Sequence, residues 1–155
     1  HSMGGNTLRT WDTLNLKNIL DEAHENDVAV IAGLDLPVSG DLRFYNHPDQ
    51  VNVQLKAYRE LVNRYKSHPA LLMWCLGNEV DFPYKPVFRH FYTAYNNLLH
   101  MIHEEDPDHP VTTGVIKLHH RSRWLPQQLV MMPIASNIMF RPSPNYPAIR
   151  KLPQS

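Results

Sequence analysis

The sequence predicts an α/β fold built on a parallel sheet. Three observations carry that expectation. Short apolar runs alternate along the chain with segments whose apolar residues recur every three or four positions. One run, Leu71-Leu72-Met73-Trp74-Cys75-Leu76, is apolar at every position, which suits a strand covered on both faces. That run ends abruptly in Gly77-Asn78-Glu79, so a carboxylate stands at a strand's carboxyl end, where parallel α/β folds place their chemistry.

The elements follow in order. Residues 6–11 read as a short strand after the Gly4-Gly5 turn. Leu16, Ile19, Leu20 and Ala23 fall at helical spacing and predict a helix over 14–26, with Asp12 or Thr13 as its N-cap. Residues 28–36 are a second buried strand. Pro37, Ser39, Gly40 and Asp41 open a long loop that runs to about Pro48. Val51, Leu55, Tyr58, Val62 and Tyr65 mark one face of a helix over 50–66, and the strand at 70–76 follows. Val87, Phe91, Ala94, Leu98 and Ile102 mark a helix over 85–104, ended by Asp106-Pro107. Residues 111–115 are a fourth strand. The order β-α-β-α-β-α-β requires crossover helices and therefore parallel strands. The loops after the second and third strands are long, whereas the helix-to-strand joints are short. That asymmetry puts function at the carboxyl ends of the strands.

Beyond Val115 the periodicity fails. Leu129-Val130-Met131-Met132 reads as one short strand, and the rest gives no helical or strand period. Composition shifts near the same place. Residues 1–108 hold all fifteen Asp and Glu against nine Lys and Arg, whereas 109–155 hold six Lys and Arg, no acid, and seven of the thirteen prolines. The expected organisation is therefore a folded unit over 1–116 and a basic, proline-rich, irregular tail over 117–155.

Composition also excludes classes. With 43% apolar residues the 155-residue chain is globular rather than disordered. The single cysteine, Cys75, permits no internal disulfide and reads as a small buried hydrophobe. No stretch approaches the ~20 apolar residues of a membrane helix, so no membrane partner is expected. The opening His1-Ser2-Met3-Gly4-Gly5 is no signal peptide; it reads as a tag remnant or as the interior of a longer parent, and leaves the compartment open. His100 and His103 share a helix face and His119-His120 are adjacent, but neither pair finds a third ligand at a zinc spacing, so neither metal nor cofactor is expected. Arg121, Arg123, Arg141, Arg150 and Lys151 make the tail basic, but no nucleic-acid motif accompanies them, and a solvated tail is the expectation.

Residues from about Gly5 to Val115 resemble the catalytic barrel of retaining glycoside hydrolases of the clan that includes glycoside hydrolase family 2. The resemblance rests on Asn6-Thr7-Leu8-Arg9-Thr10-Trp11, on Leu20-Asp21-Glu22-Ala23-His24, on Gly33-Leu34-Asp35-Leu36, and on His68-Pro69-Ala70 through Asn78-Glu79. It implies an incomplete (β/α)8 TIM barrel, strands two to five, with Asn78-Glu79 closing the fourth barrel strand and Arg9 on the second. It further implies Glu79 as acid/base, Asn78 as partner of the substrate 2-hydroxyl, Arg9 as the residue that orients the nucleophile, Trp11 in the sugar site, and a carbohydrate as substrate. A retaining glycosidase needs one carboxylic acid to protonate the leaving oxygen and a second carboxylate to attack the anomeric carbon. The family's nucleophile lies on the seventh strand, and this chain has no Asp or Glu after Asp108. Asp81 and Asp35 lie near the predicted site but match no nucleophile position, and read as solvated or capping carboxylates. A truncated gene, a shifted reading frame or a decayed paralogue would each produce such a tail.

Two readings result. In one the chain is part of a glycosidase, inactive alone because the nucleophile is missing. In the other it is a non-catalytic α/β domain that binds a carbohydrate or a protein. An incomplete barrel also leaves sheet edges exposed, which keeps self-association open as a partner mode. A flavodoxin-like sheet is the rival fold, but no glycine-rich phosphate loop follows the first strand.

Overall fold

A computed structural model describes residues 4–37, 42–82 and 85–115. The tail over 117–155, including the strand expected near 129–132, lies outside the described residues.

The described chain runs β1 (Thr7–Arg9), α1 (Leu16–Glu25), β2 (Ala29–Leu34), α2 (Leu42–Tyr45), α3 (Pro48–Tyr65), β3 (Leu71–Leu76), a 3-10 turn (Pro86–Phe88), α4 (Arg89–Glu105) and β4 (Val111–Thr112). The strands form one sheet of four in the order β1-β2-β3-β4, and every neighbouring pair is parallel. Strand order equal to chain order is the winding of a barrel. A doubly wound sheet of the flavodoxin type would reverse direction at its first strand. The expected strands and helices are therefore present, in the expected order and sense.

One face of the sheet is closed by the helices. Val30, Ala32 and Leu34 on β2 are paired in register with Leu71, Trp74 and Leu76 on β3, and all six are fully buried. Against them pack Leu16, Leu20 and Ala23 of α1, Tyr58 and Val62 of α3, and Phe91, Ala94, Leu98, Met101 and Ile102 of α4. The opposite face pairs Arg9 with Ile31, Ile31 with Met73, and Gly33 with Cys75. Here Ile31 and Met73 are only half-buried. β3 is thus less completely covered than a strand inside a closed barrel, because the described residues supply half of the eight strands that would enclose this face. Cys75, 2% exposed, is the buried small hydrophobe expected.

Several local expectations need correction. α1 begins at Leu16 behind Asn15, a left-handed residue whose side chain caps nothing. Asp12 instead accepts the Leu14 N–H at 2.8 Å, and the Thr13 carbonyl accepts the Leu16 N–H at 3.3 Å, so both shape the turn before the helix rather than capping it. Val87 continues the apolar period of α4 but is 54% exposed, because Pro86 opens a separate 3-10 turn whose three-residue repeat rotates it off the buried face. The loop after β2 contains α2, whose Tyr45 is buried against Phe91 at a ring separation of 5.1 Å.

Candidate functional site

The carboxyl ends of all the described strands lie on one rim, because the strands are parallel. Arg9 is the last residue of β1, Asp35 follows β2, residues 77–80 follow β3, and Thr113, Gly114 and Val115 follow β4. Each of these segments is tied to its neighbour by the backbone.

The turn after β3 is the most constrained. Gly77 has φ +81°, a conformation that suits glycine, and a side chain there would strike Val80. Its N–H donates to the Leu34 carbonyl at 2.7 Å. Val80, 5% exposed, donates its N–H to the Gly114 carbonyl at 2.8 Å and bridges to Val115. Between these two buried anchors Asn78 and Glu79 are pushed out into solvent. Glu79 has φ +51°, which is uncommon for a residue with a side chain. Such strain concentrates at functional positions.

Arg9 reaches across the open face and donates a hydrogen bond from Nη2 to Asn78 Oδ1, joining residues 69 positions apart. This fixes the amide. With Oδ1 occupied by a cation, the two Nδ2 hydrogens are what Asn78 offers to anything else. Trp11 sits on the same rim just past β1 and is 68% exposed. Its backbone crosses directly over Gly33, where a Cβ would lie 2.7 Å from the Trp11 carbonyl carbon. The crossing is pinned by a 2.8 Å hydrogen bond from the Gly33 N–H to Thr10 Oγ1. Of the four residues singled out from sequence, Arg9 and Asn78 are thus in contact, Glu79 is the next residue on, and Trp11 shares the rim. Glu79 is exposed and its carboxylate makes no hydrogen bond or ion pair among the described residues.

A layer of tyrosines, of which helical periodicity marks only Tyr58, supports this rim from the helices. Tyr58 of α3 donates to the Asp35 carbonyl and lies 2.9 Å from its Oδ1. Burial, reinforced by the Asp35 charge, pushes the Tyr58 hydroxyl well above its ordinary value, so it stays a donor. Tyr45 of α2 donates to the Pro37 carbonyl at 2.5 Å. Tyr95 of α4 hydrogen-bonds Thr113 Oγ1 beside Gly114, and burial raises its hydroxyl too. A tyrosine presents an apolar body and a polar tip, so helical periodicity finds the body and misses the tip. Asp35 is an exposed residue held from behind.

At the opposite rim lies a buried carboxylate. Asp106, 2% exposed, accepts from Trp74 Nε1 at 2.7 Å and lies 2.9 Å from His109 Nδ1. Burial alone would push its carboxyl up, but the hydrogen bonds from His109 and Trp74 outweigh it and hold the group below the ordinary aspartate value. Trp74 is therefore core, as its place in an apolar strand suggested. Asp21 is likewise held low, by the Lys17 ammonium at 2.6 Å and by His68 at 3.2 Å. His100 pairs with Glu104 at 3.4 Å on an exposed helix face. Among the described residues no group of three or more His, Cys, Asp or Glu is arranged to hold a metal ion, and no helix is long and apolar enough to cross a membrane.

Comparison with known proteins gives this geometry a context. The TIM barrel domain of glycosyl hydrolases family 2 matches residues 14–148. Among solved structures, the β-D-glucuronidase of Dictyoglomus thermophilum superposes with a TM-score of 0.57 at 23% identity, over 72% of this chain and 20% of that one. The Faecalibacterium prausnitzii β-glucuronidase gives 0.58 at 24% identity, over 70% and 18%. Bifidobacterium dentium β-glucuronidase, in complex with coumarin-3-O-glucuronide, gives 0.57 at 22% identity, over 70% and 18%. These likenesses show the fold, and the chain spans about a fifth of the length of each. No curated protein matches it.

Proposed function

The chain belongs to glycosyl hydrolases family 2 through its TIM barrel domain, and from that premise we propose that it carries the acid/base half of a retaining glycosidase site. Glu79 is the acid/base, Asn78 holds a substrate hydroxyl, Arg9 sets Asn78 and orients the nucleophile, and Trp11 lines the sugar site. The observation that carries this reading is the Arg9–Asn78 hydrogen bond beside Glu79 at the carboxyl ends of parallel strands.

Each role has a chemical reason. Glu79 projects from a turn whose neighbours on both sides are buried, so its backbone is fixed while its carboxyl group is free to meet a glycosidic oxygen. Asn78 presents Nδ2 donors because Arg9 occupies its oxygen, and a donor suits the lone pairs of a sugar hydroxyl. Trp11 offers an exposed indole face of the kind on which a sugar ring packs. The substrate class is a carbohydrate with an O-glycosidic bond. The solved relatives named above are β-glucuronidases, so a β-glucuronide is the first substrate to try.

The proposal includes a negative. A retaining site needs its nucleophile about 5–5.5 Å from the acid, and the family's nucleophile strand comes late in the barrel, where this chain has no acid after Asp108. Glu79 is also solvent-exposed rather than enclosed. The 155-residue chain is thus expected to hydrolyse aryl glycosides no faster than its own Glu79→Gln variant. The same two observations favour the second reading, a carbohydrate-binding domain without turnover. The test is a fluorogenic panel of β-glucuronide and other β-glycosides, run on both proteins at matched concentration, with binding followed in parallel by intrinsic tryptophan fluorescence. Binding without turnover fits the proposal. Turnover that disappears in Glu79→Gln keeps Glu79 as acid/base and overturns the inactive-chain claim. The absence of both binding and turnover removes the carbohydrate assignment.

A further inference from the structure

Arg9 ends the first strand of the sheet, yet its guanidinium lies against the far end of the fourth. Three strand spacings of roughly 4.8 Å separate β1 from β4 along the sheet. A Cβ built on Gly114 would stand 3.3 Å from Arg9 Nη1, 3.5 Å from Nη2 and 3.4 Å from the Gly77 carbonyl oxygen. The sheet is therefore curved enough that the Arg9 fork crosses its concave face and rests on the bare backbone of Gly114. From there Nη2 bonds to Asn78. Gly114 is not a conformational glycine, since Gly4 and Gly77 are the described glycines at positive φ. Nothing in its backbone demands glycine; the tight space beside it, filled by Arg9, favours one.

We propose that Gly114 is a positioning residue of this site: its missing side chain leaves the slot that seats the Arg9 guanidinium, and through Arg9 it sets the Asn78 amide beside Glu79. The slot is closed from three sides. Tyr95 holds Thr113, the residue before Gly114, from behind. The Gly114 carbonyl accepts the Val80 N–H at 2.8 Å, tying the slot to the turn that carries Asn78 and Glu79. The Gly114 N–H faces the Gly77 carbonyl at 3.4 Å. A methyl group at position 114 meets the tip of a long, flexible side chain at 3.3 Å. The tip of a flexible side chain yields more easily than backbone, so the fork shifts by a few tenths of an ångström and its bond to Asn78 is strained. The functional weight of this arrangement rests on the glycosidase reading, but the arrangement itself does not.

Gly114→Ala tests it in the full-length chain, followed by NMR of the Arg9 Nε–Hε and Asn78 Nδ2 side-chain resonances. Both are expected to move in Gly114→Ala as Arg9 does in Asn78→Ala, while the backbone amides of β2 and α1 stay in place. In an Arg9→Ala background, Gly114→Ala is expected to leave Asn78 where Arg9→Ala alone puts it. Side-chain resonances that ignore Gly114→Ala, or an Asn78 shift that persists without Arg9, would overturn the inference. Should Gly114→Ala lose its fold, the Arg9→Lys/Gly114→Ala pair removes the fork. Recovered folding then supports the slot, and continued failure assigns Gly114 to its contact with Gly77 and ends the proposal. Affinity for the glycoside panel separates the two claims. A drop of up to about tenfold in Gly114→Ala, the limit set by full loss of one hydrogen bond involving a charged group, supports both. A wild type that binds no glycoside while the resonances couple as described keeps Gly114 and removes the carbohydrate reading.

Discussion

At the amino-terminal rim of the sheet Asp106 is 2% exposed and every oxygen has a partner, whereas at the carboxyl-terminal rim Glu79 stands in solvent on a left-handed backbone with no described partner. The two carboxylates belong to the same sheet and serve opposite ends. Asp106 ties α4 to Trp74 in β3 and to His109 ahead of β4, so it holds helix and sheet together. Among the described residues Glu79 holds nothing, and its turn is kept in a strained shape by Gly77 and Val80 instead. In (β/α)8 folds stability is built at the amino ends of the strands and chemistry at the carboxyl ends. The contrast here follows that division and can be broken from either side.

The largest effect is expected at the amino rim. Asp106→Ala strands a buried indole N–H and an imidazole together, and is expected to destabilise the chain by about 2–4 kcal/mol, read as a lowered urea midpoint at unchanged slope. The same group sets an acid limb. Its folded pKa is depressed, so its contribution is fully present above the unfolded value near 3.9 and is lost as pH falls through the lower folded value. Thermal midpoints measured from pH 7 down to pH 3 should therefore fall less steeply in Asp106→Asn than in wild type. An equal fall would show that the carboxylate is not the staple that the geometry makes it.

Next in size is the tyrosine layer behind the carboxyl-terminal rim. Tyr58→Phe removes the donor to the Asp35 carbonyl without changing the ring's packing. A loss of about 1 kcal/mol is expected, the net worth of one hydrogen bond. Hydrogen exchange at the amides of Leu36 and Gly77 should speed up with it, since both flank the segment that Tyr58 steadies. A loss as large as that of Asp106→Ala would erase the distinction between the two rims.

How much of this was readable beforehand differs between the rims in the same way. β2 and β3 announce themselves because their apolar runs are unbroken, and α3 and α4 because Tyr58, Val62, Phe91 and Leu98 keep helical spacing. Asn78 and Glu79 stand out in the sequence because no packing reason puts them after such a strand, and the structure leaves both exposed on the carboxyl-end rim. α2 was not, since the four residues Leu42–Tyr45 are too few to show a period. Asp106 read as a helix stop before Pro107; its burial depends on Trp74, 32 residues earlier, and no local pattern reports that. The Arg9 slot depends on Gly114 in the same non-local way, and the left-handed φ of Glu79 on two anchors outside it.

Smaller effects, of the opposite sign, are expected at Glu79. Glu79→Gly relieves a left-handed residue, which costs of order 1–3 kcal/mol where it is strained. It also adds unfolded-state entropy of roughly 0.5–1 kcal/mol. Because φ +51° lies inside the small allowed left-handed region, the strain sits at the low end of that range, and the net is a gain of at most about 1 kcal/mol, seen as a raised thermal midpoint. A gain in stability on removing the most chemically suggestive side chain is the signature of a residue kept for function. A loss instead would mean that the carboxylate stabilises the turn, and the comparison of rims would fail at its centre.

The smallest expected change is that of Glu79→Gln, and its smallness is what makes it useful. The substitution keeps shape and left-handed backbone and alters only the carboxyl group. That group is exposed and has no described partner, so stability should stay within about 0.5 kcal/mol of wild type. Any difference between the two proteins in glycoside binding or turnover then reports chemistry at the carboxyl group rather than a change in the folded population. Asp106→Asn, the matching change at the other rim, cannot serve that purpose, because it replaces an acceptor shared by the buried Trp74 indole and the half-buried His109. Measured side by side by urea denaturation, the pair should differ by more than about 1 kcal/mol. Equal costs would mean that Glu79 is as much a structural carboxylate as Asp106.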